Sequence, residues 1–160
     1  MTPVTTIRAA TEDDLTALGA AGIRAGRLRR RLQLAKSGEE TFLVAEVDGH
    51  AVGMLSVRWC GVCDGGRPWL YGGEVLPQWR NRGIGTRLWN EAERIARSRG
   101  AAQVSLDVER ANGAARRLYE RLGYVIIQQH EHTWRSIDPV SGALLASGTS
   151  DAWIMRKDLA

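Results

Sequence analysis

The sequence predicts a mixed α/β domain, and three patterns support this class. The alternation of apolar and polar residues over Ala102–Val108 is typical of a strand. Apolar residues from Ile84 to Ala96 recur at helical intervals. Asp48-Gly49 separates two apolar runs, as in a hairpin turn. An antiparallel hairpin therefore precedes a strand, helix and strand unit, in which we expect parallel pairing.

Length and composition indicate one globular domain over residues 1–160. The chain has 44% hydrophobic and 25% charged residues, which is ordinary for a soluble protein. It contains no run of about 20 apolar residues, and its N-terminus lacks the apolar region of a signal peptide. We expect a cytoplasmic protein without a membrane partner.

The charge balance makes an anionic partner plausible but does not favour nucleic acid. Lys and Arg total 22 against 18 Asp and Glu, a net charge of +4. Nucleic-acid binders usually gather a larger excess on one face, so we expect no nucleic-acid partner. The run Arg27-Leu28-Arg29-Arg30-Arg31, with Arg24 before it, is favoured as a solvated helix face.

Cys60 and Cys63 form the only cysteine pair. A C-x-x-C pair could be a redox couple or, with His130 and His132, a metal site. It lies in a Gly-rich loop rather than at the start of a helix, and no second close ligand pair accompanies it. We therefore favour two free thiols and predict no metal.

The remaining elements follow from caps, turns and periodicity. Thr11 with the acids after it predicts a helix start, and Gly72-Gly73 marks a bulge in a strand that Pro77 ends. We predict further helices over 23–36, 83–100 and 112–122, and strands over 42–47, 51–57, 69–76, 102–108, 124–129 and 151–156, with a hairpin excursion over 134–150.

The turn over residues 77–86 joins a strand to the strongest predicted helix. A helix N-terminus presents unpaired N–H groups and partial positive charge, to which anions bind. Gly83 and Gly85 let a ligand approach the backbone, and Arg80 and Arg82 add donors suited to phosphate oxygens. The turn therefore predicts a site for a diphosphate, although a tight turn with exposed arginines remains the alternative.

Two other glycine motifs do not match this turn. A P-loop requires Lys and then Ser or Thr after its last glycine, whereas Thr86-Arg87 follows Gly85. The dinucleotide fingerprint requires a small residue where Leu88 stands. Both classes of nucleotide site are excluded.

The chain resembles the GCN5-related N-acetyltransferase (GNAT) superfamily. Its acetyl-CoA motif, Q/R-x-x-G-x-G/A, is matched by Arg80, Gly83 and Gly85. The segment 73–77 resembles the family's fourth strand with its proline, and 112–124 resembles its second signature segment. The resemblance implies a central, mostly antiparallel sheet with flanking helices, whose fourth and fifth strands splay apart.

The resemblance also implies acetyl-CoA as the acyl-donor cosubstrate. The N–H groups of Arg82 to Thr86 would hold the pyrophosphate, Val75 backbone groups would meet pantetheine, and Asn112 would lie beside the CoA arm. The implied binding residues are Val75, Leu76, Pro77, Arg80, Asn81, Arg82, Gly83, Ile84, Gly85, Thr86 and Asn112.

Family members usually transfer the acetyl group directly to an amine. By position, Tyr119 matches the tyrosine that protonates the leaving thiolate, although it could instead be a core residue. Glu74 is our first candidate for the base, because it precedes Val75 on a strand where we expect partial burial. Asp107 and Glu109 are alternates, and a solvent-facing role for Glu74 stays open.

The acceptor we expect is a primary amine of a small molecule. In the family the region of the arginine run helps to roof the acceptor site, so an acceptor with a carboxylate or phosphate is a hypothesis. A protein or peptide amine acceptor and a non-catalytic CoA-binding module are alternatives. A homodimer through the C-terminal strands also stays open. The six tryptophans are expected mostly in the core, although Trp59, Trp69 and Trp134 could line an acceptor pocket.

Overall fold

The computed structural model describes residues 3–23, 25–59 and 67–159. They fall into two compact units, one of residues 1–104 and 158–160 and the other of residues 105–157. Cys60 and Cys63 lie outside the described residues. The elements in chain order are β1 (Thr5–Ala9), α1 (Glu12–Ala20), α2 (Ala25–Lys36), β2 (Glu40–Val47), β3 (His50–Arg58), β4 (Trp69–Val75), α3 (Ile84–Ser98), β5 (Gln103–Glu109), α4 (Gly113–Arg121), β6 (Val125–Ile137) and β7 (Leu144–Asp158).

The first unit contains four antiparallel strands in the order β1-β2-β3-β4. The turn between β2 and β3 is the predicted one: Asp48 and Gly49 have φ angles of 50° and 82°. Two successive positive φ angles match the twist of the strands that they join. The Asp-Gly hairpin prediction is therefore confirmed.

Helices cover both faces of these strands. On one face α1 and α2 pack on β2 and β3 through a cluster of buried apolar side chains. On the other face α3 packs closely, and a Cβ added to Gly53 would lie 3.2 Å from Leu88 Cδ1. The first cluster comprises Leu18, Leu28, Leu32, Phe42, Val44, Ala51 and Met54.

The predicted bulge in β4 is present. Ser56 pairs with Tyr71 and Met54 pairs with Glu74, so Gly72 and Gly73 together oppose Leu55. An extra residue of this kind shifts the register and bends the strand. Glu74 consequently lies on the same face of the sheet as Met54, the face covered by α2.

Glycine at both bulge positions leaves room for a helix side chain on each face. A Cβ on Gly72 would lie 2.8 to 3.0 Å from the guanidinium of Arg31, which belongs to α2, and Gly72 has a φ of 65°. A Cβ on Gly73 would fall on the ring of Trp89, which belongs to α3. The bulge is thus held between a cation on one face and an indole on the other.

The second unit has the strand order β5-β7-β6. β6 and β7 form an antiparallel hairpin, which confirms the predicted excursion. Asp138 Oδ1 accepts hydrogen bonds from the N–H groups of Val140 and Ser141 and so shapes its turn. Both strands are longer than predicted because the ribbon is largely exposed, so no apolar alternation marks its outer part.

The tryptophan prediction is wrong for most of the six residues. Trp89 is 4% exposed, but Trp134 is 43% exposed and the other four are partly exposed. Large indoles pack well without full burial, and three of them stack with arginines. The guanidinium-to-ring distances are 4.1 Å for Arg99 over Trp59, 5.0 Å for Arg82 over Trp79, and 4.6 Å for Arg110 over Trp153.

No helix within the described ranges is long and apolar enough to cross a membrane.

We expect Gly73→Ala to lower the free energy of unfolding by about 1–3 kcal/mol, because its methyl group would overlap the Trp89 ring. Urea unfolding followed by circular dichroism measures this. Gly26→Ala is the control: nothing lies within 4 Å of its added Cβ, and alanine should stabilise α2 by about 0.5–1 kcal/mol. If Gly73→Ala unfolds with the same free energy as the wild type, the close approach of Trp89 to Gly73 is contradicted.

Candidate active site

The end of β4 presents backbone groups on its side away from β3. The N–H of Leu76 donates to Val52 O at 2.8 Å, and Val75 lies opposite Gly53. In an antiparallel ladder the hydrogen-bonded and non-bonded pairs alternate, so the N–H and C=O of Val75 point away from β3. Its carbonyl accepts a hydrogen bond from Arg80 Nε at 2.8 Å. Of the Val75 backbone groups predicted to meet pantetheine, the carbonyl is therefore already bonded to Arg80.

The turn after β4 leads directly into the first turn of α3. Pro77–Trp79 form one turn of 3-10 helix, and Asn81 and Gly83 then take positive φ angles of 60° and 78°. Gly83 is the N-cap, and no side chain in the described part of the chain caps this N-terminus. The N–H groups of Ile84, Gly85 and Thr86 have no acceptor within the helix. They point out of its N-terminal end, where a ligand could accept their hydrogen bonds.

This N-terminus has the space and charge that an anion requires. Nothing lies within 4 Å of a Cβ placed on Gly83. Arg80, Asn81 and Arg82 are exposed around it, while Ile84 is 2% exposed and anchors the helix. The arrangement of exposed donors at a positive helix end fits a diphosphate. We call residues 80–86 the phosphate turn.

Arg31 differs from the other arginines of α2. Arg27, Arg29 and Arg30 are exposed, as predicted, whereas Arg31 is 6% exposed. The prediction of a solvated face is therefore wrong for Arg31. The missed signal was its position one helical turn from Leu28, on the apolar stripe of the helix.

The guanidinium of Arg31 lies between aromatic rings beneath β4. It is 4.4 Å from the ring centroid of Phe42 and 5.4 Å from that of Tyr71. Its Nε donates to Ser56 Oγ at 2.8 Å and its Nη1 to Met54 Sδ at 3.4 Å. Its Nη2 is buried and has no hydrogen-bond partner among the described residues. Burial lowers the pKa of Arg31 to about 10, so the group is still cationic at neutral pH.

A second group of polar side chains adjoins Arg31. The Tyr71 hydroxyl donates to Glu40 and lies 2.6 Å from both carboxylate oxygens, and Arg58 Nε is 3.6 Å from Oε1. Burial, and next the bond to Glu40, raises the pKa of Tyr71 to about 12. Sequence reasoning missed this group because its members are far apart in sequence and match no motif.

Glu74 is exposed, so the expectation of partial burial is wrong. The preceding residues, Gly72 and Gly73, have no side chains that could cover it. Glu74 nevertheless lies on the α2 side of the sheet, opposite Met54 in β3. Its role as a base is not decided by this position.

In the second unit four of the residues predicted for catalysis or cosubstrate binding line one cavity of about 250 Å³. The cavity brings together Asp107 and Glu109 of β5 with Asn112 and Tyr119 of α4 and the loop before it. Burial, and next the negative charge of Asp107, raises the pKa of Tyr119 to about 12. The phenol therefore keeps its proton at neutral pH.

Asn112 has a structural role that the sequence analysis did not assign. It is the N-cap of α4, and its Oδ1 accepts a hydrogen bond from the Ala115 N–H at 3.2 Å. Side-chain oxygens at this position satisfy a free N–H of the first turn. A contact with CoA would have to use the remainder of the Asn112 side chain.

Across the described ranges no three His, Cys, Asp or Glu side chains are grouped so that they could hold a metal ion.

Comparison with known proteins identifies the family to which the chain belongs. The model of the acetyltransferase (GNAT) family matches residues 9–124, which is more than half of the chain. The chain belongs to the GNAT family. It is therefore an N-acetyltransferase by family, in agreement with the motif over residues 80–85.

Solved GNAT structures share the fold over almost the whole chain. The ribosomal-protein-S18-alanine N-acetyltransferase from Escherichia coli has a TM-score of 0.73 at 20% identity, with 98% of this chain and 95% of that chain covered. YncA from Salmonella typhimurium, solved with its cofactor acetyl-CoA, has a TM-score of 0.72 at 20% identity, with 98% of this chain and 94% of that chain covered. PaiA N-acetyltransferase from Thermoplasma acidophilum, in complex with coenzyme A, has a TM-score of 0.71 at 20% identity, with 97% of this chain and 99% of that chain covered. The predicted GNAT fold, with mostly antiparallel strand pairs, is confirmed.

We expect Asn112→Ala to lower the free energy of unfolding of this GNAT chain by about 1 kcal/mol, because α4 loses its cap. Chemical denaturation measures the effect. Asn112→Asp keeps an oxygen acceptor and adds a favourable charge at the helix N-terminus, so it should match the wild type. Equal losses in the two variants would contradict the capping role.

Proposed function

We propose that this GNAT enzyme transfers an acetyl group from acetyl-CoA directly to a primary amine of a small molecule. The observation that carries the proposal is the phosphate turn, in which a helix N-terminus that no described side chain caps opens onto free space between exposed arginines. Acetyl-CoA contains a diphosphate, and YncA and PaiA were solved with acetyl-CoA and coenzyme A. The same cosubstrate is proposed for this chain.

Each part of the turn has a proposed task. The N–H groups of Arg82 through Thr86 hold the diphosphate, and Arg80, Asn81 and Arg82 supply further donors. The N–H of Val75 points to the side of β4 away from β3, where it can meet pantetheine. Leu76 and Pro77 set the direction in which the chain enters the turn, and Asn112 lies beside the CoA arm.

In the proposed reaction the neutral amine attacks the thioester carbonyl carbon. A C–N bond forms, the C–S bond breaks, and the thiolate of CoA leaves. Glu74 accepts the proton that the amine loses, and its exposure leaves its carboxylate accessible to an acceptor. Tyr119, whose phenol is protonated at neutral pH, donates a proton to the thiolate. Glu74 then releases its proton to solvent and the Tyr119 phenolate takes one up, which restores both groups.

A small acceptor is favoured over a basic protein segment by the charge beneath β4. Arg31 is buried there and cationic. It repels an acceptor that carries additional positive charge close to its amine.

Isothermal titration with acetyl-CoA tests the cosubstrate. We expect wild-type binding and a loss of about 100-fold or more in affinity for Gly83→Glu, whose side chain and negative charge enter the phosphate turn. Gly83→Ala is the matched control, because it imposes the same left-handed strain without bulk or charge and should bind nearly normally. Failure of the wild type to bind acetyl-CoA would contradict the proposal.

Amine acetylation, followed by thiol release, tests the two catalytic roles. Tyr119→Phe should lower kcat by about 100-fold or more while acetyl-CoA affinity is kept.

Glu74→Gln should lower kcat/KM by a similar factor. This loss of kcat/KM should become smaller at high pH, because more of the amine is already neutral. Asp107→Asn and Glu109→Gln are comparison variants. A larger loss in either of them than in Glu74→Gln would transfer the role of base to that residue.

A second candidate is acetylation of a protein N-terminus. It is favoured by the structural similarity to the Escherichia coli enzyme whose acceptor is a ribosomal-protein alanine. Peptides with free N-terminal alanine, compared with free amines of similar size, distinguish the candidates through their kcat/KM ratio. A preference for the peptides would replace the small-molecule proposal.

A further inference from the structure

Arg31 is a buried cation on which the carboxylates of Glu40 and Glu74 act through their charge. Of these two carboxylates that of Glu40 is buried, and its Oε1 lies 3.6 Å from Arg58 Nε. That carboxylate accepts the Tyr71 hydroxyl and lies against Arg58, whereas Arg31 itself donates to a hydroxyl and a thioether. No carboxylate in the described part of the chain is hydrogen-bonded to Arg31.

The guanidinium also has an unused donor. Nη2 is buried and makes no hydrogen bond to the described residues. A buried donor without an acceptor destabilises a protein. A ligand oxygen that accepts a hydrogen bond from Nη2 would remove this destabilisation.

The place where a ligand could reach Arg31 is the bulge in β4. Gly72 is exposed, lacks a side chain, and contacts the guanidinium on its inner side. No side chain at Gly72 therefore stands between the guanidinium and a ligand on this face. Glu74, the proposed base, follows two residues later on the same side of the sheet. An acceptor on this face thus has a base for its amine and a cation for a second group.

We propose that the acceptor amine carries a carboxylate and that Arg31 binds this carboxylate through Nη2. This inference rests on the proposed acetyltransferase function and narrows its acceptor to molecules of the amino acid type. The N–H groups of Nη2 can donate to a carboxylate, and hydrogen bonds between two charged groups are stronger than those between neutral groups. The planar guanidinium fork holds these donors in fixed directions, which a lysine ammonium does not. The aromatic rings of Phe42 and Tyr71 both pack against the guanidinium and hold its plane in place.

The test compares amines with and without the carboxylate. Because the amine of an amide is less basic, kcat/KM is calculated for the neutral form of each amine. L-amino acids and their amides are supplied with acetyl-CoA, and thiol release gives kcat/KM for each pair. For the best pair we expect the wild type to prefer the acid by about tenfold or more, because the amide lacks the charge that Arg31 binds. Arg31→Gln should abolish this preference, mainly through KM, while Arg30→Gln, on the exposed face of α2, should keep it.

A second readout separates recognition from catalysis and from folding. N-acetyl amino acids and N-acetyl amino amides are the corresponding products, and each is added with CoA in a thermal-shift measurement. The acid should raise Tm more than the amide in the wild type and not in Arg31→Gln. Arg31→Lys keeps a cation and replaces Arg31→Gln if the latter does not fold, with a reduced preference expected because the fork is lost.

The outcomes are distinct. Equal use of acids and amides, equal protection by both products, or a preference for amines with phosphate in place of carboxylate would overturn the inference and leave amine acetylation intact. If no amine is acetylated but acid products still protect more than amides, the proposed function fails and carboxylate recognition by Arg31 stands. If neither turnover nor selective protection occurs, both fail.

Discussion

Two helices press on adjacent residues of β4 from opposite faces of the sheet. The guanidinium of Arg31 occupies the space of a side chain at Gly72, and the indole of Trp89 occupies the space of a side chain at Gly73. The strand accommodates both by bulging, which shifts its register against β3. The position of Glu74 opposite Met54 follows from this shift.

The phosphate turn depends on the same end of β4. Leu76 is tied to β3 through Val52 O, and the chain then turns through two left-handed residues into α3. Ile84 and Leu88 bury the inner side of α3, which leaves the N–H groups of its first turn on the outside. The packing that orders the helix thus also orients the end at which we propose that the diphosphate binds.

Much of this arrangement could be predicted because its signals are local. Asp48-Gly49, Pro77 and the glycines of the phosphate turn act through backbone conformations that few residues adopt, so they mark turns without reference to the rest of the chain. The burial of Arg31 could not be predicted in this way. It depends on Phe42, Ser56 and Tyr71, which come from three different strands. The expectation of burial for Glu74 was wrong for a local reason, because the two residues before it, Gly72 and Gly73, have no side chains that could cover it.

The central claim is that the first turn of α3 binds the diphosphate of acetyl-CoA. Its most direct test is a titration with coenzyme A followed by amide nitrogen–proton correlation spectra with assigned signals. The account predicts that the signals of Ile84, Gly85 and Thr86 move downfield and show the largest shifts, because their N–H groups gain charged acceptors. Saturable shifts elsewhere with these three signals unmoved, or the absence of any shift, would contradict it.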